Sequence, residues 1–265
     1  MMQNLFDRDW DYFLSYGTAQ RYVSHMLQII DSIENESEIQ KFRDLIHWYG
    51  SLQNGNTCLN IYPIAPIYTL YRARVYKKSN DIDCNIDKSR TPFKGYNAKD
   101  SFIPPKCLIS EGRANDNEIV CLYVASNSYT ATCETMQDIN DTMSIASIRL
   151  KEYLYVLNFS VFSSSIMLCN RKQTIWIQNF ALEISKLFQL PCDTRHCVYK
   201  LCQIIADVAV KELHLDGISY YSSKAHQQPG ITKNINFAIY NYKKCEPVSS
   251  ELVSAQYATE NMRYR

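Results

Sequence analysis

The chain has 265 residues, 46% hydrophobic and 21% charged, with a formal net charge of +1 at neutral pH. That length supports one large domain or two small ones with a sizeable core. The near-neutral balance excludes an extended phosphate-neutralising surface, so no direct nucleic-acid partner is expected. No apolar run reaches the roughly 18 residues of a membrane-spanning helix. The opening MMQNLFDRDWDYF has neither a basic n-region nor an apolar h-region, so it does not read as a signal peptide. Ten scattered cysteines in such a chain point to reduced thiols and a cytoplasmic location.

Residues 1–60 read as helical. Val23, Met26, Leu27, Ile30 and Ile33 recur at helical spacing from Thr18 to about Glu34. A second helix is predicted from Ser37, which forms a capping-box pattern with Gln40, to near Gly50. This extension is too small to stand alone and is expected to pack on the main domain, 61–245. A strand is expected from Thr69 to Tyr76, then a loop-rich stretch over 79–118 of the kind that is usually functional. A strand at 119–125, a helix at 129–137 and a strand pair within 145–160 follow. Helices are expected at about 174–188 and 195–213, and strands at 217–223 and 235–241. The last twenty residues, 246–265, are polar and read as a tail forming a loop or short helix. Strands interleave with helices without regular βαβ spacing, and neither Gly-x-Gly-x-x-Gly nor a P-loop occurs. The fold class is therefore α+β, a mixed β-sheet core with surrounding helices.

Several side chains could carry chemistry. Cys192, His196, Cys197 and Cys202 lack a second close ligand pair, and they run into a predicted helix. They read as buried thiols rather than a zinc site, and no metal is expected. No Gly-x-Ser-x-Gly elbow occurs. Of the five histidines, His226 alone falls in a loop that could line a site. Arg72 and Arg74 alternate onto one strand face, and Arg113 sits in a Gly-Arg-Ala-Asn turn with Asn115. Such guanidinium groups suit a phosphate or carboxylate clamp, or else surface salt bridges. Glu134, near a predicted helix start, is either a cap or a catalytic carboxylate. Spacing alone favours the structural reading of both sets.

The segments Leu70-Tyr71-Arg72-Ala73-Arg74, Phe93-Lys94-Gly95-Tyr96, Pro104-Pro105 and Gly112-Arg113-Ala114-Asn115 are followed by Leu122-Tyr123-Val124-Ala125 and Tyr129-Thr130-Ala131 leading to Glu134. Asp216-Gly217-Ile218, Tyr220-Tyr221-Ser222-Ser223 and Asn236-Phe237-Ala238-Ile239 close the series. In this order and spacing, over about 61–245, the chain resembles the RES domain family, named for an Arg, a Glu and a Ser. The resemblance implies a fold related to diphtheria-toxin-type ADP-ribosyltransferases. It also implies consumption of NAD⁺ as substrate, with inorganic phosphate or water as co-substrate and no bound cofactor. The products would be nicotinamide and ADP-ribose-1″-phosphate or ADP-ribose. Many relatives are toxins restrained by an antitoxin, so an inhibitory protein partner is expected, and self-association through the N-terminal helices is open. The family positions map to Arg72, Glu134 and Ser222 as catalytic residues. Arg113, Tyr123 and Asn115 map to substrate contacts, as do Arg74 and Ser223, which are the near-miss alternatives to Arg72 and Ser222. Tyr221 stands where the family often has Pro. Nicotinamide leaves NAD⁺ as a neutral molecule, so a single carboxylate stabilising an oxocarbenium-like transition state would suffice. Transfer of ADP-ribose to a macromolecule and NAD⁺ binding without turnover are the competing readings.

Overall fold

The computed structural model describes residues 10–31, 35–54, 57–77, 91–103, 112–115, 119–160, 171–190, 196–222, 224–225 and 234–261. Three helices open it: α1 (Trp10–Ser15), α2 (Ala19–Ile29) and α3 (Glu36–Ser51). The Thr18 side chain caps α2 by accepting the Arg21 N–H at 3.3 Å. α3 starts one residue before the predicted Ser37. Its N-cap is Asn35 without a side-chain bond, and Glu36 and Glu38 in its first turn complement the helix dipole. Its buried positions Phe42, Leu45, Ile46 and Tyr49 follow the helical period. A minimal hairpin, β1 (Gln53–Asn54) and β2 (Thr57–Cys58), leads into the sheet.

Eight strands form that sheet: β3 (Ile61–Ile64), β4 (Thr69–Val75), β5 (Leu122–Ala125), β6 (Thr142–Leu150), β7 (Leu154–Asn158), β8 (Gly217–Tyr221), β9 (Ile235–Ile239) and β10 (Cys245–Ser254). Their spatial order is β10-β6-β4-β5-β9-β8-β7-β3. β7 and β8 run parallel and the other neighbours antiparallel. This is a mixed α+β architecture. Two strands depart from the sequence expectation. β3 was not among the expected strands; it carries Pro63, which its edge position tolerates because a missing N–H there costs no ladder bond. The polar run at 246–254, expected as a loop or short helix, forms most of β10. β10 is stabilised by nine residue pairings with β6 rather than by apolar alternation. A short helix, α7 (Ala255–Asn261), follows.

The two faces of the sheet are covered differently. On the first face, Leu157, Ile218, Tyr220 and Ala238 join α1–α3, α5 (Arg171–Leu187) and α6 (His196–Asp207) in one core. Trp10, Phe13, Tyr22, Phe42, Trp176 and Phe180 form its aromatic centre, with Trp176 and Phe180 stacked at 5.5 Å. Arg43 of α3 reaches Asp207 at 2.6 Å and Glu212 at 2.5 Å, tying the N-terminal helices to α6. Farther along this face, Ala73, Ala125, Met143 and Ile145 pack under α4 (Ser128–Thr135) and α7. On the second face, Leu70, Leu122, Val124, Ile148, Val156, Phe237 and Ile239 form a third cluster, with Phe102 and Ile103 of the 91–103 segment packed on it. That segment is pinned where Tyr96 N–H donates to Ser144 Oγ at 2.8 Å and Gly95 N–H to Ser250 Oγ at 3.0 Å. A Cβ on Gly95 would lie 2.2 Å from Ser144 Oγ, so only glycine permits this approach.

The six described cysteines are free thiols. No described helix is long and apolar enough to cross a membrane.

Candidate active site

Glu134 lies in the last turn of α4, not near its start as the sequence suggested. The helix begins at Ser128, where the Asn127 side chain caps it by accepting the Thr130 N–H at 2.7 Å. A carboxylate at the negative end of a helix dipole is locally unfavourable by about 0.3–1 kcal/mol. Its surroundings offset that cost. Ser222 Oγ donates to Glu134 Oε1 at 2.5 Å, and Asn236 Nδ2 donates to the same oxygen at 2.8 Å. Lys224 Nζ donates to the Glu134 carbonyl at 2.9 Å, covering the end of the helix. Ser222 is itself fixed. Its Oγ accepts the Ala225 N–H at 3.0 Å, and its own N–H donates to the Asn234 carbonyl at 2.9 Å. Asn234 Oδ1 in turn accepts from Thr130 Oγ1 at 2.9 Å and Asn127 Nδ2 at 3.2 Å. A polar belt thus locks α4 to β9 and to the end of β8. Ser222, Asn234, Asn236 and Thr130 are all buried, and each buried group meets a partner, as burial requires.

The second part of the site is the strand β5. Tyr123 sits opposite Ala238 of β9, on the first face between the two helix-covered clusters. It remains 37% exposed although it belongs to a central strand, so the sheet is open there. Its hydroxyl is held inside: it donates to Asn115 Oδ1 at 3.0 Å and accepts the Ala114 N–H at 3.1 Å. Burial, then the neighbouring Cys121 and Tyr220, push its pKa well up. The turn carrying these partners closes through Gly112 N–H to the Asn115 carbonyl at 3.0 Å. A Cβ on Gly112 would meet Asn115 Oδ1 at 2.3 Å and the Tyr123 hydroxyl at 3.0 Å. Glycine is therefore required for the turn to rest on Tyr123.

Tyr220 links the two parts. It is buried and stacks on Phe188 at 4.9 Å. Burial first, and then the negative charge of Glu134, raise its pKa. Arg113 Nη1 donates to the carbonyl of the same Phe188. Burial pushes the Cys121 thiol up to about 12 against the opposing influence of Tyr123 and Arg72, so it is no thiolate nucleophile at neutral pH. Among the described residues no group of three His, Cys, Asp or Glu is placed to hold a metal.

The RES domain matches residues 85–259, well over half of the sequence. The chain belongs to the RES domain family. No curated protein matches. Among solved structures it is similar to a chain of the M. tuberculosis MbcT-MbcA toxin-antitoxin complex, at 12% identity and a TM-score of 0.43, covering 84% of this chain and 96% of that one.

In this RES chain, Glu134 and Ser222 meet directly, and Tyr123, Asn115 and Arg113 gather around β5 and the turn beside it. Arg72 and Arg74 are placed elsewhere. Tyr71 pairs with Ala125, so Arg72 and Arg74 point to the second face, opposite Tyr123. Arg72 Nη1 donates to the Phe102 carbonyl, and Arg74 Nη1 to the Asp100 carbonyl at 2.6 Å. Burial, then the adjacent Arg74 cation, lower the Arg72 pKa to about 9; it remains protonated at neutral pH. Ser223, His226 and Pro104-Pro105 lie outside the described residues. Sequence reasoning gave no role to Asn236, Tyr220 or Lys224. Asn236 had one usable signal: it is a polar residue next to Phe237 in an otherwise apolar strand.

A separate cleft of about 630 Å³ opens at the other end of α4. It is lined by Tyr68, Tyr71, Lys94, Ser126, Asn127 and Ser249 among others, and by none of the candidate site residues.

Proposed function

We propose that this RES domain cleaves the nicotinamide–ribose bond of NAD⁺ and acts as a growth-arresting toxin restrained by an antitoxin or other inhibitory protein. The observation that carries the chemical reading is Glu134, a carboxylate held by two neutral donors on the same face of the sheet as the part-exposed Tyr123. As the C1″–N bond breaks, its electron pair leaves with nicotinamide and positive charge develops on the ribose. The Glu134 carboxylate stabilises that charge from a fixed position, without reorganising as it forms. The oxygen of water, which loses a proton to solvent, or of inorganic phosphate then bonds to C1″, giving ADP-ribose or ADP-ribose-1″-phosphate.

Tyr123, part-exposed on this face, packs on nicotinamide or ribose, while Asn115 and the Gly112–Asn115 turn hold its hydroxyl. Arg113 is the family arginine on the same side of the sheet as Glu134 and suits the pyrophosphate or the incoming phosphate. Ser222 orients Glu134, since its proton is committed to the carboxylate. Arg72 and Arg74 support the site indirectly by bracing the 91–103 segment. A kinship with diphtheria-toxin-type ADP-ribosyltransferases belongs to the same proposal.

The deciding experiment is nicotinamide release from NAD⁺ by the purified protein, with ³¹P NMR of the products in the presence and absence of phosphate. Release is expected. ADP-ribose alone at millimolar phosphate would exclude phosphorolysis, and no release at all would remove the enzymatic reading.

A further inference from the structure

We propose that Asn236 is a positioning residue for Glu134: it fixes the orientation of the carboxylate while leaving its charge intact. The inference rests on the proposed NAD⁺ chemistry for its purpose, but on geometry for its content.

Ser222 and Asn236 both donate to Oε1 of Glu134, and among the described residues no hydrogen bond reaches Oε2. Two donors converging on one oxygen set the plane of the carboxylate and leave the second oxygen as the acceptor for substrate. A carboxylate offers lone pairs only, so the Asn236 amide nitrogen must be the group that faces it. The amide is anchored as firmly as the fold allows. Asn236 is 8% exposed and sits mid-sheet, paired with Ala125 on one side and Tyr220 on the other. A donor on a central strand holds its partner more exactly in place than a donor on a loop.

The choice of an amide has a chemical consequence. Lysine or arginine at this position would hold Glu134 equally well but would neutralise the charge needed against a cationic transition state. Aspartate would keep the shape and reverse the effect. Two carboxylates about 3 Å apart cannot both ionise without a large penalty, so such a pair retains a shared proton.

The test compares Asn236→Asp and Asn236→Ala with the parent protein, using nicotinamide release across about pH 5–8, thermal melting, and crystal structures of the parent and Asn236→Ala. Asn236→Asp is expected to lose about 30–100-fold in kcat near pH 8, in the range of one charge-assisted hydrogen bond. It should recover relative to the parent as pH falls, because the shared proton restores a donor. Asn236→Ala is expected to lower kcat rather than raise KM at every pH, and to show the Glu134 carboxylate rotated from its parent orientation. A constant Asn236→Asp to parent ratio across pH, or an unmoved Glu134 carboxylate in Asn236→Ala, would overturn the proposal. If the parent releases no nicotinamide, the enzymatic reading fails, while the carboxylate orientation in the crystals still decides whether Asn236 positions it.

Discussion

On the first face of the sheet, which also carries the part-exposed Tyr123, a carboxylate, Glu134, meets neutral side-chain donors from Ser222 and Asn236. On the second face two guanidinium groups, Arg72 and Arg74, meet the backbone carbonyls of Phe102 and Asp100 under a covering segment. Both arrangements place charge against uncharged partners, yet they have opposite consequences. Both donors to the carboxylate converge on one oxygen, and among the described residues no hydrogen bond reaches the other, so under the proposed function its charge faces a ligand. One guanidinium nitrogen of each arginine is engaged by a backbone carbonyl of the 91–103 segment, so these side chains hold that segment in place. Charge type and family position did not separate the two arrangements; the side of the sheet did.

The comparison can be broken from either face. The largest effect is expected for Glu134→Gln, which keeps shape and removes charge. Nicotinamide release should fall by about 10²–10³, or about 3–4 kcal/mol of transition-state stabilisation, with little change in Tm. Parent-rate turnover by this variant would end the assignment. Arg72→Ala comes next. It should cost about 1–3 kcal/mol of stability, because the Phe102 carbonyl loses its donor under the 91–103 segment. That corresponds to several degrees in Tm for a domain of this size. Its turnover per folded molecule should change less than that of Glu134→Gln. Abolished turnover at an unchanged Tm would instead place Arg72 in the reaction. The smallest effect is expected for Tyr123→Phe. It retains the ring but leaves the Ala114 N–H and Asn115 Oδ1 without their phenol partner. Turnover should fall about 3–10-fold as the turn loosens, equivalent to about 1 kcal/mol. An effect as large as that of Glu134→Gln would mean that the hydroxyl itself takes part in the chemistry.

Much of the architecture was legible in the residues. α2, α3, α5 and α6 follow from apolar periodicity, because each buries one stripe against a common core. β4, β5, β8 and β9 were found from short apolar runs between turn signals. β10 was not, because its stability comes from pairing with β6 rather than from its own polar pattern. β3 was not, because Pro63 is tolerated only through its edge position. Glu134 was legible as a candidate but misplaced along its helix. α4 is buried on several sides and carries little amphipathic signal, so its ends could not be set from the sequence. Asn236 was quoted in the family pattern yet had no stated role, since its partner lies 102 residues earlier in the chain.

The sequence by itself determined the family, the α+β class and several of the polar residues from which a site could be built, Glu134 and Ser222 among them. These follow from local pattern and motif order, which the chain carries in one dimension. Only the tertiary structure decided which of those residues meet. Strand alternation sends Arg72 and Tyr123 to opposite faces once Tyr71 is paired with Ala125, and that pairing is long-range. The coupling of Glu134 to Ser222 and Asn236 likewise depends on α4 packing across the ends of β8 and β9. Hydrogen bonds require atoms within about 3 Å, and sequence spacing does not specify such proximity between segments a hundred residues apart.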